Sequence, residues 1–488
     1  MNTTDVSASI ARLGNGLAVL ANKCAAKTFD ISSGMVYASM RDQIVRAQLL
    51  VRDLKQADPH CNRLLIVGAG LAGVCAAAHA SALGIETVVL ETNKKAFELQ
   101  SRVSTRMVGP FMYEWPSIEC QLQHYPPETT TLGEPILGTP NWNSTSPMPS
   151  SELATQLHNW LTTVMLTQKE PPQFRFQVPA AWTREYVTHF VAAASSGQPL
   201  PSLGCPPPTP SVPNPSHSAF VPDYVILAAG MGEERVHLVD GDPQGMRGLP
   251  FWRDDDLRAS GIENIEVAVF GAGDGALQDV LRLVTKHDHP LALIEALESG
   301  STSIRDEINQ VRPLLASLEQ QSRLFATWSR DTNVYDLIDK QCEQLCEDLA
   351  KNPKVQEKIL SELRIGTGRV HHVYREQYLT RAYLLNRFCV HLINACQHSM
   401  PHSQNIKYVR YKETTVLSAV AASTPITAGG GGTIQLSGGL SIVPAKLVVR
   451  FGPDKQWIES SQIVRLTPKT HPDRISMSAI PLPYIVSA

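Results

Sequence analysis

Leu64-Leu65-Ile66-Val67-Gly68-Ala69-Gly70-Leu71-Ala72-Gly73 is a short apolar run that breaks into three glycines. Four apolar residues in a row read as a buried parallel strand, and Gly68 as the tight turn that ends it. Gly70 lets the backbone approach a pyrophosphate, and Gly73 lets the following helix pack on the strand. That helix, Leu71 to about Leu83, is small and apolar, and its N-terminal amides and dipole face the phosphates. Gly84 closes it, and Glu86-Thr87-Val88-Val89-Leu90 reads as the next strand. The strand ends at Glu91, eighteen residues beyond Gly73, where a carboxylate accepts the hydrogen bonds of an adenosine ribose. Gly68, Ala69, Gly70, Leu71, Ala72, Gly73 and Glu91 are therefore the residues expected around a nucleotide.

About two hundred residues later the pattern returns as Val267-Ala268-Val269-Phe270-Gly271-Ala272-Gly273-Asp274-Gly275-Ala276. Gly271, Gly273 and Ala276 take the three glycine roles, and a helix follows to Val284. The run Leu291-Ala292-Leu293-Ile294 is expected to be the next strand, ending at Glu295, nineteen residues after Ala276. Glu295 there would repel a 2′-phosphate and favour NADH, unless an arginine such as Arg305 reverses the preference. Asp274 places a negative charge in the turn. A duplicated domain can also keep its fold after losing its ligand, so a working nicotinamide site and a relict scaffold both stand. Two such turns in one chain imply two cofactors brought face to face, an arrangement that moves electrons between them.

These motifs resemble the flavoproteins with two dinucleotide-binding domains, which include pyridine-nucleotide-dependent reductases and flavin-dependent monooxygenases. Gly271-Ala272-Gly273-Asp274-Gly275-Ala276 is similar to the nicotinamide motif of the thioredoxin-reductase branch. Asp223-Tyr224-Val225-Ile226-Leu227-Ala228-Ala229-Gly230 resembles the segment that returns the chain to the flavin, which adds Gly230 to the cofactor residues. Lys446 to Pro453 resembles its counterpart near the C-terminus, without the usual Ala-Thr-Gly ending. The resemblance spans about Asn62 to Pro453, large insertions apart. It implies an α/β fold of two nested Rossmann-like domains, FAD on the first and NAD(P)H on the second.

None of the nine cysteines is spaced as Cys-x-x-Cys, so a redox disulfide of the thioredoxin-reductase kind is not expected. Cys342 and Cys346 lie one helical turn apart without a matching second pair, which reads as buried thiols rather than a metal site. The Baeyer–Villiger fingerprint is not found between the glycine motifs. At 488 residues the chain exceeds one core and suits two nested domains with additions. A net charge of −3 with no long basic run argues against nucleic acid. The absence of an apolar leader or span argues against secretion and membrane insertion, and cysteines that look unpaired suit a reducing cytoplasm.

Residues 1–60 read as a helical extension that covers the first domain or mediates a homodimer. Residues 61–262 read as the FAD domain, with a proline-rich surface loop at 199–222. Residues 263–453 read as the NAD(P) domain, with a helical insertion at about 302–398, and 454–488 as a return to the FAD domain. Between Ser101 and Pro116, ten residues after Glu91, Arg102 and Arg106 are candidates for the pyrophosphate or an anionic substrate. Their alternative is a structural loop with solvated arginines. Tyr113 and Trp115 are candidates to wall the flavin ring, or a packed pair. His371-His372 with Tyr374 reads as helical and non-convergent. Tyr378, Arg381, Tyr383 and Arg387 read as helix packing, and no catalytic residue can be assigned.

The resulting expectation is an FAD-dependent oxidoreductase that passes hydride from NAD(P)H to the flavin and electrons on to oxygen or a small organic substrate. The alternatives are an amine or amino-acid oxidase and a non-catalytic dinucleotide sensor.

Overall fold

The computed structural model describes residues 17–32, 40–109, 115–116, 146–204, 220–230, 232–239, 241–242, 245–299, 301–328, 333–379, 382–399, 407–423 and 427–452. Tyr113, Arg381, Cys120, Cys205, most of the proline-rich loop and the 454–488 return all lie outside these residues.

The first sheet runs parallel in the order Thr28–Asp30, Tyr224–Leu227, Arg63–Val67, Glu86–Leu90, Gln173–Arg175, with Lys23–Ala25 antiparallel at one edge. Both of its faces are covered, as a parallel sheet requires. Leu64, Ile66, Val89 and Ile226 pack among the helices Leu71–Ala82 and Met40–Ala57. Leu65, Val88, Val225 and Leu227 pack with Tyr186, Val187 and Phe190 of the helix Ala180–Ser196.

The N-terminal segment corrects one expectation. Leu17–Asn22 and Met40–Ala57 are helical, but the residues between them supply two strands. Three-residue strands are too short to show alternation, and position in the sheet decides them. Thr28–Asp30 lies along Tyr224–Leu227, and the Ile31 amide still donates to the Leu227 carbonyl at 2.9 Å.

The second sheet is also parallel, in the order Tyr408–Tyr411, Val370–Val373, Val267–Phe270, Lys446–Val449. Alternation splits its side chains cleanly. Val267, Val269, Val370 and Val448 face a helical core, while Ala268, Phe270, Val373, Leu447 and Val449 face an antiparallel sheet. That sheet is Val416–Ala421, Gly432–Leu436 and Ser441–Ile442.

Two further expectations fall here. Leu291–Ile294 is no strand, because Pro290–Ser299 is a helix that buries Pro290, Leu293, Ile294 and Leu297. That three-and-four spacing emerges only over ten residues, and proline suits a first helical position. Leu291 N–H donates to His289 Nδ1 at 3.1 Å, which helps to start the helix. The insertion therefore begins at Pro290 and continues through Thr302–Trp328, Asn333–Leu349 and Pro353–Ser361. It ends before Val370–Val373, a strand within the stretch expected to be helical. His371 and His372 sit on that strand, one half-buried and one buried.

Candidate functional site: two glycine turns

In the first turn Gly68 has φ +108°, and its N–H donates to the Leu90 carbonyl at 2.8 Å. A Cβ at Gly68 would strike the Ala228 carbonyl oxygen, and one at Gly73 would strike the Gly68 carbonyl oxygen. A Cβ at Gly70 would meet no protein atom within 4 Å. Gly68 and Gly73 are thus demanded by the fold, whereas Gly70 borders open space. Gly70 also begins the helix Leu71–Ala82 with no side-chain cap, leaving first-turn amides for a ligand. Ala69 and Leu71 are buried and Ala72 is half-buried against the core beneath the turn.

Glu91 stands at the carboxyl end of the neighbouring strand. Its Oε2 accepts the Ala69 N–H at 2.7 Å and its Oε1 accepts the Asn93 N–H at 2.7 Å. Ala229 and Gly230 are exposed beside the turn, and Gly230 has φ +83°.

The second turn repeats the first almost bond for bond. Gly271 has φ +125°, and its N–H donates to the Val373 carbonyl at 3.0 Å. A Cβ there would strike the Arg450 carbonyl oxygen, while one at Gly273 would meet nothing within 4 Å. Gly273 starts the helix Asp274–Val284, again without a side-chain cap, and Ala276 is fully buried at the third position. The Arg450 N–H donates to Phe270 O at 2.8 Å, as Ala228 does to Val67 O at 2.7 Å. Gly452, two residues on, has φ +78° and matches Gly230. Lys446–Val449 therefore does stand in the second domain where Tyr224–Leu227 stands in the first.

Register then identifies the counterpart of Glu91. Val67 pairs with Leu90 and Phe270 with Val373, so the residue matching Glu91 is Tyr374. Glu295 is exposed on the helix Pro290–Ser299 and does not end a strand beside this turn. Tyr374 is buried and Arg375, next in the chain, is exposed. No carboxylate occupies the Glu91-like position. The β-branched Val370 and Val373 that flank His371-His372 were the only local signal for this strand.

Asp274 does not aim its acceptor outward alone. Its Oδ1 accepts the Tyr383 N–H at 2.7 Å and an Asn386 Nδ2–H at 2.8 Å, at the start of the helix Leu384–His398. Burial pushes its carboxyl up to about 7.

Neither candidate arginine is found as the pyrophosphate clamp. Arg102 is exposed and pairs with Glu98 at 2.6 Å, one helical turn away. Arg106 is 2% exposed and bonded to the Asp279 carboxylate, with a second ion pair to Asp255 at 2.9 Å. Its Nε–H donates to the Phe251 carbonyl at 2.9 Å, and its guanidinium lies over the Phe251 ring. Asp279 also binds Arg450 at 2.8 Å and Arg282 at 3.1 Å. Desolvation acts to raise the Asp279 carboxyl, but Arg450, Arg106 and Arg282 outweigh it and hold it at about 2. This buried charge cluster joins the segment after Glu91 to the helix Asp274–Val284. A long-range carboxylate partner for Arg106 leaves no local sequence signal.

Trp115 packs on Phe388 in the helical core, with ring centroids 5.0 Å apart. Cys342, Cys346, Cys389 and Cys396 are buried there too, and burial pushes the Cys396 thiol up to about 12. Among the described residues no group of three His, Cys, Asp or Glu could hold a metal ion, and no helix is long and apolar enough to cross a membrane.

No family model and no curated protein matches this chain. Solved structures do. Thioredoxin reductase of Lactococcus lactis is 11% identical, with 82% of this chain and 80% of that chain covered at a TM-score of 0.34. The bacillithiol disulfide reductase of Bacillus cereus is 10% identical, with 81% and 80% covered at 0.37. A structure of OTEMO in complex with FAD and NADP is 12% identical, with 80% and 71% covered at 0.34. At these identities the likeness is one of fold alone.

Proposed function

We propose that this chain is an FAD-dependent oxidoreductase, with FAD on the first glycine turn and NAD(P)H on the second. Electrons would pass to oxygen or to a small organic acceptor. The observation that carries this reading is the first turn itself. Protein atoms crowd Gly68 and Gly73, whereas Gly70 faces open space at an uncapped helix start with Glu91 beside it. The open space and the positive end of the helix are what a pyrophosphate needs, while Glu91 suits the ribose and not the phosphates.

In this reading the amides at Gly70 and Leu71 bind the FAD pyrophosphate, and a ribose hydroxyl takes the place of the Thr92 hydroxyl or the Asn93 side-chain amide on Glu91, whose carboxylate otherwise accepts from Ala69, Asn93 and Thr92. Ala229 and Gly230 present backbone without bulk on the other side of the turn. Bound FAD would supply hydride and electron transfer, which side chains do not perform alone. The second turn, open at Gly273, binds the nicotinamide cofactor's pyrophosphate in the same manner. With Tyr374 in place of a carboxylate and Arg375 adjacent, its ribose end attracts a 2′-phosphate, which favours NADPH.

The visible spectrum of the purified protein is the test. A flavin spectrum that NADPH bleaches under anaerobic conditions supports the reading. A colourless protein that cannot be reconstituted with FAD overturns it.

A further inference from the structure

We propose that Asp274 is a proton-linked latch of the second dinucleotide site, closing as the neutral acid when the dinucleotide binds. The inference rests on the nicotinamide reading of that turn. Asp274 follows Gly273, so its carboxyl shares the helix start with the position proposed for the pyrophosphate. As a carboxylate it repels that anion and weakens the favourable dipole end. As an acid it does neither.

Tyr383 N–H and Asn386 Nδ2–H serve either form of Asp274 and favour the carboxylate, but one buried atom beside them is satisfied only by the acid. Asn386 is fully buried and donates its Nδ2–H to Asp274 Oδ1 at 2.8 Å, yet among the described residues Asn386 Oδ1 has no partner. A buried amide oxygen left unbonded is costly, and only a donor beside it removes the cost. A protonated Asp274 carries such a donor on the carboxyl that Asn386 already touches. A carboxylate has none.

The charged groups facing Asp274 oppose one another. Arg387 on Leu384–His398 favours the carboxylate, and Glu319 on Thr302–Trp328 disfavours it. Desolvation is the largest influence and acts with Glu319, the hydrogen bonds from Tyr383 and Asn386 act with Arg387, and the net effect is a carboxyl poised at about 7. The contact also ties the two ends of the site. Tyr383 and Asn386 open the helix that follows the Tyr374–Arg375 segment and already bond Asp274, and the acid adds a further bond to Asn386 Oδ1 that fixes this helix start more firmly against the phosphate turn.

Binding then takes up a proton from solvent, and affinity falls as pH rises through the titration of the free carboxyl. The test measures NADH affinity by calorimetry across that range for the parent flavoprotein and for Asp274→Asn. NADH is the probe because it carries no 2′-phosphate to titrate. The amide of the variant keeps an acceptor for Tyr383 N–H, offers a donor to Asn386 Oδ1 and cannot ionise. The parent should bind roughly tenfold more tightly at about pH 6 than at about pH 8, with proton uptake seen in buffers of different ionisation heat. The variant should bind at both with the tighter affinity and no proton uptake. Equal pH dependence in parent and variant overturns the latch and leaves the nicotinamide reading intact. No binding of NADH or NADPH by either protein at any pH overturns that reading, and the latch with it.

Discussion

Gly70 and Gly73 are three residues apart and answer to different masters, which makes them separable by mutation. Gly70 has φ −74°, a backbone any residue adopts, and its Cβ position is open. Gly70→Val should therefore fold normally and purify without flavin, since the branched side chain fills only ligand space. Gly73→Val drives a side chain into the Gly68 carbonyl and should lose the fold as well as the colour. Circular dichroism beside the visible spectrum distinguishes them, and equal loss of structure in both would remove the argument for a cradle at Gly70. Asp279 gives the second prediction at this scale. Truncating it to Ala leaves Arg106, Arg282 and Arg450 buried without their shared carboxylate, a loss of about 3–5 kcal/mol measured by denaturant unfolding. Its carboxyl is lowered on folding, so its stabilisation is complete above the unfolded value of 3.8 and disappears as pH falls through about 2. The parent should thus lose stability in acid more steeply than the variant.

Among elements, the informative strand is Val370–Val373, because its register makes Tyr374, not Glu295, the counterpart of Glu91 and so moves the proposed ribose end to Tyr374 and Arg375. Arg375→Glu should weaken NADPH binding on the order of tenfold or more, the scale of a lost charge-assisted hydrogen bond, and change NADH binding far less. Equal losses for both cofactors would place Arg375 away from the 2′-phosphate. The same element shows what the sequence could and could not disclose. Strand, glycine turn and helix are contiguous in both motifs, so Leu64 to Glu91 and Val267 to Val284 were readable directly. The next strand of the second domain comes after four inserted helices, and a short apolar run inside one of them, Leu291 to Ile294, imitated it. Thr28–Asp30 was hidden for another reason. Its pairing partner, Tyr224–Leu227, lies almost two hundred residues away, and three residues carry no period.

Across the whole molecule, both domains carry the same device. A return-strand carbonyl backs the first glycine, the second glycine faces open space, and a glycine of positive φ follows two residues after that carbonyl. This repetition was foreshadowed by the two motifs, but Arg106 was not. Its partners Asp255 and Asp279 lie far along the chain and meet it only on folding, which turns a candidate ligand residue into part of a buried ion-pair cluster. Because the two turns are separate, damage to one should spare the other. Gly273 has φ −91° and an open Cβ position, so Gly273→Val introduces neither backbone strain nor collision with protein. The variant should stay folded and yellow, with FAD still reducible by dithionite, while NAD(P)H no longer bleaches it. Anaerobic stopped-flow mixing reads this directly. Bleaching as fast as in the parent would mean that the second turn keeps its shape without its ligand, and that the flavin receives its electrons from the substrate instead.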